Sequence, residues 1–373
     1  MIIGIDGNEA NIENRVGVNQ YAAELLAALE RLPESKKHSF IIYLRQSPLP
    51  HLPRERDGWN YKVLPARGVW VLSKLLPHLW LTNPKPDVLF TPSHYAPLLL
   101  PIPAVVSIMD LGYLETKEQF KKYDYYQLKY WGALSMRFAK KIIAISESTK
   151  REVLSYYPWA KGKVEVTYPG YDKSKFHVPN NKSQINSKIQ KVKTKYRIHG
   201  KYILFLSTLK PSKNIEGLLG AFKVVSKDHD DLQLVISGKK GWLYESIFNK
   251  VISLDLQEKV IFTDFVSEED KVSLIAGCLV IAAPSFTEGF GMHVLEAMGM
   301  GIPVVVASAG SLPEVVGSAG IIVDPNDPKS IAEGIEKALE KHDVLSDKVK
   351  KQANKFDWEK TANDTLQILE KAV

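Results

Sequence analysis

Residues 279–307 read LVIAAPSFTEGFGMHVLEAMGMGIPVVVA. The run 279–283 is short, apolar and closed by Pro284, the signature of a buried strand. Residues 292–300 carry apolar side chains at helical spacing, and 303–307 is apolar again. Strand, loop, helix, strand is the repeating piece of a parallel sheet covered on both faces. Glu288, Gly289, Phe290 and Gly291 stand between the strand and the helix. Small residues at a helix start leave backbone N–H groups open, and the helix dipole adds about half a positive charge there, which suits a phosphate. Glu296 lies five residues past Gly291, roughly 7–8 Å along an axis that rises about 1.5 Å per residue. That is about the span from a nucleotide's phosphates to its ribose. Glu288 precedes the helix, on the side of the group beyond the phosphates. The same letters also fit an ordinary strand–helix unit with two surface acids.

The alternation extends outward in both directions. Strands are expected at Ile2–Asp6, Ser39–Leu44, 87–91, 104–109, 141–145 and 164–168, and again at 202–207, 233–237, 260–262, 279–283, 303–307 and 320–323. Helical patterns fall between many of them, among them 18–32, 123–140, 147–156, 214–227, 243–253, 268–276 and 328–341. Two such series predict an α/β protein with two doubly wound domains. After Pro169-Gly170 the stretch 172–195 is polar and reads as a linker. The expected domains are 1–172 and 173–356, with a final helical segment 357–373 packing back toward the first.

The 373 residues suit two domains. With 45% hydrophobic and 24% charged residues the chain is globular, and no run approaches a membrane span. A single cysteine excludes intrachain disulfides. The start shows no leader pattern, so a cytoplasmic location is expected. The net charge of +7 is uneven: 22 Lys/Arg and 16 Asp/Glu fall up to Gly170, and 27 and 26 after it. A basic first half attracts an anionic partner or is simply a solvated face.

Ligands of open parallel sheets bind past the carboxyl ends of the strands. A second such turn is Ser207-Thr208-Leu209-Lys210-Pro211-Ser212-Lys213-Asn214, where Lys213 is a point charge suited to a departing phosphate. It also fits a capped surface loop. Lys239, after 233–237, is placed near a nucleobase. In the first half the loop after Asp6 carries Asn8, Asn11, Gly17 and Asn19, and Asp110 follows 104–109. A carboxylate at Asp110 would orient an acceptor hydroxyl or take its proton, or serve a turn. Asp228-His229-Asp230 has DxD spacing but lies on the opposite sheet edge, so a solvated turn is expected. His293, close to the 289–291 turn, is expected beside the site. Residues 67–83, with Trp70 and Trp80 between basic flanks, fit a core helix or an interfacial membrane helix.

Residues 285–298 resemble the E-x7-E signature of retaining GT-B glycosyltransferases of the group-one, family-four type. The likeness continues through Gly301-Ile302-Pro303-Val304-Val305, Ser311-Leu312-Pro313-Glu314-Val315, 207–214, 237–242, Phe356-Asp357-Trp358, and, less specifically, Gly4-Ile5-Asp6 with Gly17 and Tyr21. The resemblance implies two Rossmann-like domains facing a central cleft and transfer of a hexose, mannose or glucose, with retention. The donor is a nucleoside-diphosphate sugar, the acceptor a glycan or lipid-linked hydroxyl, and neither metal nor cofactor is needed. It implies a front-face displacement in which the leaving phosphate oxygen takes the acceptor's proton. Glu288 would contact the donor sugar, Glu296 the ribose, Lys213 the diphosphate, and Gly289, Phe290 and Gly291 would give backbone contacts. Ser207, Thr208 and Lys239 complete the expected donor site, with Glu288, Lys213 and Asp110 as catalytic residues and Gly17, Asn19 and Asp110 on the acceptor. Three positions depart from the pattern: Met109-Asp110 replaces His-Asp, Thr208 and Ser212 stand where a basic residue is usual, and His293 stands where Pro is common. A non-hydrolysing sugar-nucleotide epimerase and a non-catalytic nucleotide-sugar-binding protein are the alternatives. Peripheral association with the inner membrane face is a further expectation, and nucleic-acid binding is not expected.

Overall fold

A computed structural model describes residues 1–66, 68–114, 125–177 and 182–373. Arg67 and residues 123–124 of the expected helices, and 178–181 of the polar stretch, lie outside the described residues. The chain forms two compact units, Met1–Gly170 with Asp357–Val373, and Tyr171–Phe356. The break falls after Gly170, where the sequence reading put it after residue 172.

Unit 1 is built on a parallel sheet of seven strands: β1 Ile2–Asp6, β2 Ser39–Leu44, β3 Trp59–Val63, β4 Val88–Thr91, β5 Ala104–Ile108, β6 Lys141–Ala144 and β7 Val164–Val166, in the order β3-β2-β1-β4-β5-β6-β7. Its register sets Ile3 against Phe40 on one side and Val88 on the other. β4 and β5 are buried along their whole length, as strands with both faces covered must be. Helices α1 Val18–Arg31, α2 Leu76–Leu81, α3 Ala133–Phe138 and α4 Glu147–Tyr156 cover it. The strand order reverses between β1 and β4, so the loops after these two strands flank a crevice at the carboxyl edge. The stretch 68–83 is partly core: Trp70, Leu75 and Leu79 are buried, while Trp80 and Leu81 are exposed.

Unit 2 has a six-stranded parallel sheet: β8 Lys201–Leu206, β9 Leu232–Ser237, β10 Val260–Asp264, β11 Val280–Ala283, β12 Val304–Ala307 and β13 Ile321–Val323, in the order β10-β9-β8-β11-β12-β13. Its helices are α5 Lys182–Tyr196, α6 Ile215–Val225, α7 Glu245–Ser253, α8 Glu268–Gly277, α9 Met292–Gly299, α10 Leu312–Val316, α11 Pro328–Glu340 and α12 His342–Ala353. The reversal here lies between β8 and β11, which places the loops 207–214 and 284–291 side by side. The last helix, α13 Trp358–Glu370, belongs to unit 1, where the Trp358 ring meets that of Tyr21 at 5.9 Å and Thr361 Oγ1 donates to Tyr168 O.

Two elements correct the sequence reading. β3 was not expected; it is an edge strand with the pattern buried-exposed-intermediate, and Asn60 and Lys62 hide its strand character. The polar stretch 172–195 is not all linker, because α5 occupies its second part. Ile185 and Val192 are buried, and three apolar residues four and three apart suffice to seat a helix otherwise made of Lys, Ser, Asn and Gln. Among the described residues no helix is long and apolar enough to cross a membrane.

Candidate active site

The reversal between β8 and β11 is laced by hydrogen bonds before any charged group is placed. Asn214, in the left-handed region at φ 53°, donates from Nδ2 to Pro284 O at 3.0 Å and Pro325 O at 2.6 Å. Phe286 N donates to Ser212 O at 2.9 Å. Lys213 sits in the 3-10 turn Pro211–Lys213 between these anchors and reaches Glu288 Oε1 at 2.5 Å. Both side chains are largely enclosed, 10% and 12% exposed.

Glu288 is fixed at its other end as well. Ser311 N and Ser311 Oγ each donate to Glu288 O at 3.1 Å, and Ser285 Oγ donates to Glu288 Oε1 at 3.3 Å. Gly310 has φ 58°, and a Cβ there would stand 2.5 Å from Glu288 O. Only glycine both takes that conformation and leaves that space. Burial pushes the Glu288 carboxyl up, but Lys213 above all, with His293 and Lys210, outweighs it and holds the group below the ordinary carboxylate value. His293 is driven the other way. Burial, Lys213 and Lys271 lower it to about 4 against the pull of Glu288, so it is a neutral imidazole near pH 7.

Gly291 caps α9 at φ 83°, and Val294 N is the first amide bonded back to it, at 2.9 Å. The N–H groups before it belong to the open first turn of the helix. The Phe290 side chain points into the core and packs edge-on against Phe356 at 5.6 Å, so only its backbone is at the turn. Glu296, one turn on and buried, accepts from Lys271 Nζ of α8 at 3.0 Å. Lys271 also meets Glu268 Oε1 at 3.0 Å and lies 4.9 Å over the Phe176 ring. Burial opposes its charge, and the two carboxylates overcome this and raise its pKa.

The neighbouring loops complete the edge. Ser207 N donates to Ser237 O at 3.1 Å and Leu209 N to Lys239 O at 2.8 Å, so the turns after β8 and β9 run together. The Thr208 methyl lies 3.0 Å from where a Cβ on Gly241 would stand. Lys239 lies 4.6 Å over Phe265 and Lys210 5.1 Å over Trp242. Lys213, Glu288, Ser207, Thr208, Lys239 and the 289–291 turn thus all stand at one sheet edge. No sequence pattern marks Lys271, whose partner Glu296 is 25 residues away, or Gly310 as a spacer. His229, of the DxD-like segment, pairs with Glu336 Oε2 at 3.0 Å at the opposite edge.

The carboxyl edge of unit 1 carries a second polar group. Asp6 closes β1 and accepts from Asn8 N at 3.1 Å and Asn8 Nδ2 at 2.7 Å, while burial pushes its carboxyl up to about 6. Asn19 Nδ2 donates to Glu9 Oε2 at 2.6 Å, and burial and Asp6 raise the Glu9 pKa. Gly17, at φ 51°, caps α1 with open space where a Cβ would be. Asp110 Oδ1 accepts from Gly112 N at 3.1 Å, which is turn chemistry, and Asp110 O lies 3.2 Å from His94 Nε2. Asn19 and Asp110 keep separate partners. Glu9 and His94 are additions that the sequence reading did not make; both lie in loops after the strands that flank the reversal. Met109 is buried, and its carbonyl accepts from Thr149 Oγ1 at 3.1 Å.

Comparison with known proteins agrees with this architecture. Residues 16–175 match the profile of Glycosyltransferase Family 4, and residues 186–356 that of Glycosyl transferases group 1. The chain is 27% identical over 236 residues to O-antigen chain mannosyltransferase B of Escherichia coli, a match covering 62% of this chain and 61% of that protein. It is 29% identical over 231 residues to the serotype-specific mannosyltransferase WbdA of the same organism, covering 60% of this chain and 28% of that one. The chain therefore spans under two thirds of each relative's length. In fold it is similar to Anabaena Alr3699/HepE, solved with UDP and glucose (TM-score 0.73, 19% identity, 99% of both chains), and to WaaG, a glycosyltransferase of lipopolysaccharide biosynthesis (TM-score 0.70, 15% identity, 99% of both). With two Rossmann-like parallel sheets, each carrying its polar residues past the strand ends where the order reverses, the chain belongs to the GT-B glycosyltransferases of the group-one, family-four type.

Proposed function

We propose that the protein transfers a hexose, mannose before glucose, from a nucleoside-diphosphate sugar to a hydroxyl of a glycan or lipid-linked acceptor, with retention at the anomeric carbon. The observation that carries this is the enclosed Lys213–Glu288 pair at the reversal of unit 2, beside the open first turn of α9. In this reading the diphosphate takes over Lys213 and the helix start, where dipole and ammonium meet its charge. Glu288, freed of its cation, accepts from hydroxyls of the donor sugar, and Glu296 accepts from the ribose. The bond from the anomeric carbon to the phosphate oxygen breaks, the acceptor oxygen bonds on the same face, and its proton passes to the departing phosphate. Lys213 stabilises that phosphate as charge develops. Asn19, Gly17 and Asp110 of unit 1 would bind the acceptor. The mannosyl preference is supported by the names of the two Escherichia coli relatives.

The test begins with thermal shift of the full chain against a panel of nucleotide sugars, since a tight donor stabilises by mass action. The best donor is then turned over with and without EDTA, and the product's anomeric configuration is read by NMR. Retention and undiminished turnover in EDTA are expected. An inverted product, or activity that only manganese restores, overturns the mechanism.

A further inference from the structure

His94 stands in the loop after β4, on one bank of the unit 1 crevice. β1 and β4 end together, one residue past the pair Ile5–Phe90, so the loops after Asp6 and after Thr91 start side by side. The β4 loop is pinned along its length. Thr91 Oγ1 donates to Tyr95 O at 3.0 Å and lies 3.3 Å from Ser93 Oγ, and both hydroxyl residues are buried. Ala96 N donates to Ser135 Oγ at 3.0 Å, and Ala96 O accepts from Trp131 Nε1 at 2.9 Å. The Tyr95 ring packs against that of Trp131 at 5.2 Å. The His94 backbone is thus held on both sides, while its side chain is only half-buried.

The ring is fixed by one nitrogen only. Nε2 lies 3.2 Å from Asp110 O. A carbonyl oxygen can only accept, so Nε2 carries the hydrogen. Burial pushes the imidazole below its ordinary value against the pull of Asp110. The ring is therefore neutral near pH 7, and Nδ1 keeps a lone pair. Among the described residues no hydrogen bond engages Nδ1. On the β1 bank the side chains accept as well. Glu9 takes an amide hydrogen of Asn19 at 2.6 Å, and Asp6 takes two from Asn8. Burial, then Asp6, raise the Glu9 pKa, so a further negative charge there would add to the repulsion. An ionised carboxylate or phosphate has no hydrogen to give these groups, and a hydroxyl does.

We propose that His94 is a specificity-determining residue of the acceptor site, Nδ1 accepting a hydrogen bond from a hydroxyl of the acceptor sugar. The inference rests on the transfer reading and names one contact within it. The hydroxyl received here is not the attacking one, whose proton goes to the departing phosphate. It is a neighbour on the same sugar, so the contact reads which sugar is present and how it is turned. Asp110 takes part through its backbone: its carbonyl holds the Nε2 hydrogen and thereby sets which nitrogen is left for the acceptor.

Two amide variants separate the ring's two nitrogens, since the glutamine amide nitrogen replaces Nε2 and the asparagine oxygen replaces Nδ1. The full chain is assayed with its preferred nucleotide sugar and with methyl α-mannoside or methyl α-glucoside as acceptor. His94→Gln should raise the acceptor KM about tenfold, the loss of one hydrogen bond. Its melting temperature and its dissociation constant for the nucleotide sugar should match the parent's. His94→Asn should recover most of the acceptor KM and melt earlier. Among the monodeoxy forms of the glycoside, one should show the same rise in the parent and no further rise in His94→Gln, as two halves of one contact must. Imidazole nitrogen spectra, with His94 assigned by its loss in the variants, should show hydrogen on Nε2 and none on Nδ1. The proposal is overturned by an acceptor KM that His94→Gln leaves unchanged, by deoxy penalties that all add to that of His94→Gln, or by hydrogen on Nδ1. Equal KM losses in the two variants would make His94 a loop anchor and overturn it too. A parent that hydrolyses its donor with retention but transfers to neither glycoside overturns this inference alone. A parent that neither binds nor turns over any nucleotide sugar overturns the transfer reading, and this one with it.

Discussion

Glu288 is held at both ends, its carbonyl by two donors of Ser311 and its carboxylate by Lys213 and Ser285. On the proposed reading the diphosphate draws Lys213 away, and the Ser311 donors keep the Glu288 backbone in place while its carboxylate turns to the sugar. Glu288→Gln and Lys213→Ala are each expected to cut kcat by about 100-fold or more, with circular dichroism unchanged. Intact turnover in both would remove them from the site. If Glu296 holds the ribose as proposed, Lys271 acts through it as a positioning residue. Lys271→Met leaves a buried carboxylate without its cation, so affinity for a nucleoside diphosphate should fall about tenfold or more. Lys271→Arg should restore it, and titration calorimetry reads both. His293 gives a signed pH effect. Its folded pKa of about 4 lies below the 6.5 of the unfolded chain, so the unfolded state binds the extra proton between these values. Stability is full above about 6.5 and declines as pH falls toward 4, by at most about 3 kcal/mol less what solvent screening removes. In His293→Gln, urea midpoints should fall less over that window than in the parent.

Among the elements, α13 carries the clearest packing consequence. Trp358, Ala362, Leu366 and Leu369 recur at helical spacing, and all four are buried. Leu369→Ala should therefore cost about 2–5 kcal/mol of the stability of unit 1, seen as an earlier urea transition there and an unmoved one for unit 2. Strands and helices with strong apolar patterns were legible in the sequence, since burial on both faces writes itself into runs such as 280–283 and 304–307. Where burial is one-sided the pattern thins. β3 alternates around Asn60 and Lys62 at an edge, and α5 needs only Ile185, Ile189 and Val192 among polar neighbours. The site was legible to the same degree. Lys213, Glu288 and Glu296 announced themselves by standing after strands, or in the helix that follows. Lys271 and Gly310 did not, because what makes them matter is an ion pair and a 2.5 Å approach set by tertiary packing. The basic half seen in the sequence also changes meaning. With α13 returned to it, unit 1 holds 24 basic and 20 acidic residues, +4, against +3 for unit 2. The excess is not a property of one unit. Its concentrated part is residues 173–215, with eleven Lys/Arg and no Asp/Glu, at the start of unit 2 and running into the turn that carries Lys210 and Lys213.

For the whole molecule, the two units make one comparison decisive. Every residue assigned to the donor lies in Tyr171–Phe356, and every residue assigned to the acceptor in the other unit. A nucleoside diphosphate without its sugar should then stabilise unit 2 by mass action, by about 2.7 kcal/mol at 100 times its dissociation constant. Native-state hydrogen exchange reads this segment by segment, because amides that open only by unfolding of a unit slow by that unit's gain in stability. Amides of β8, β11 and α9 should slow about 100-fold, and those of β1, β4 and β5 should keep their rates. In Lys213→Ala the slowing should shrink across all of unit 2, because the lost contact weakens binding and not the fold around any one strand. Equal slowing in β1 and β4 would mean that the nucleotide is held by both units, and the division of labour between them would fall.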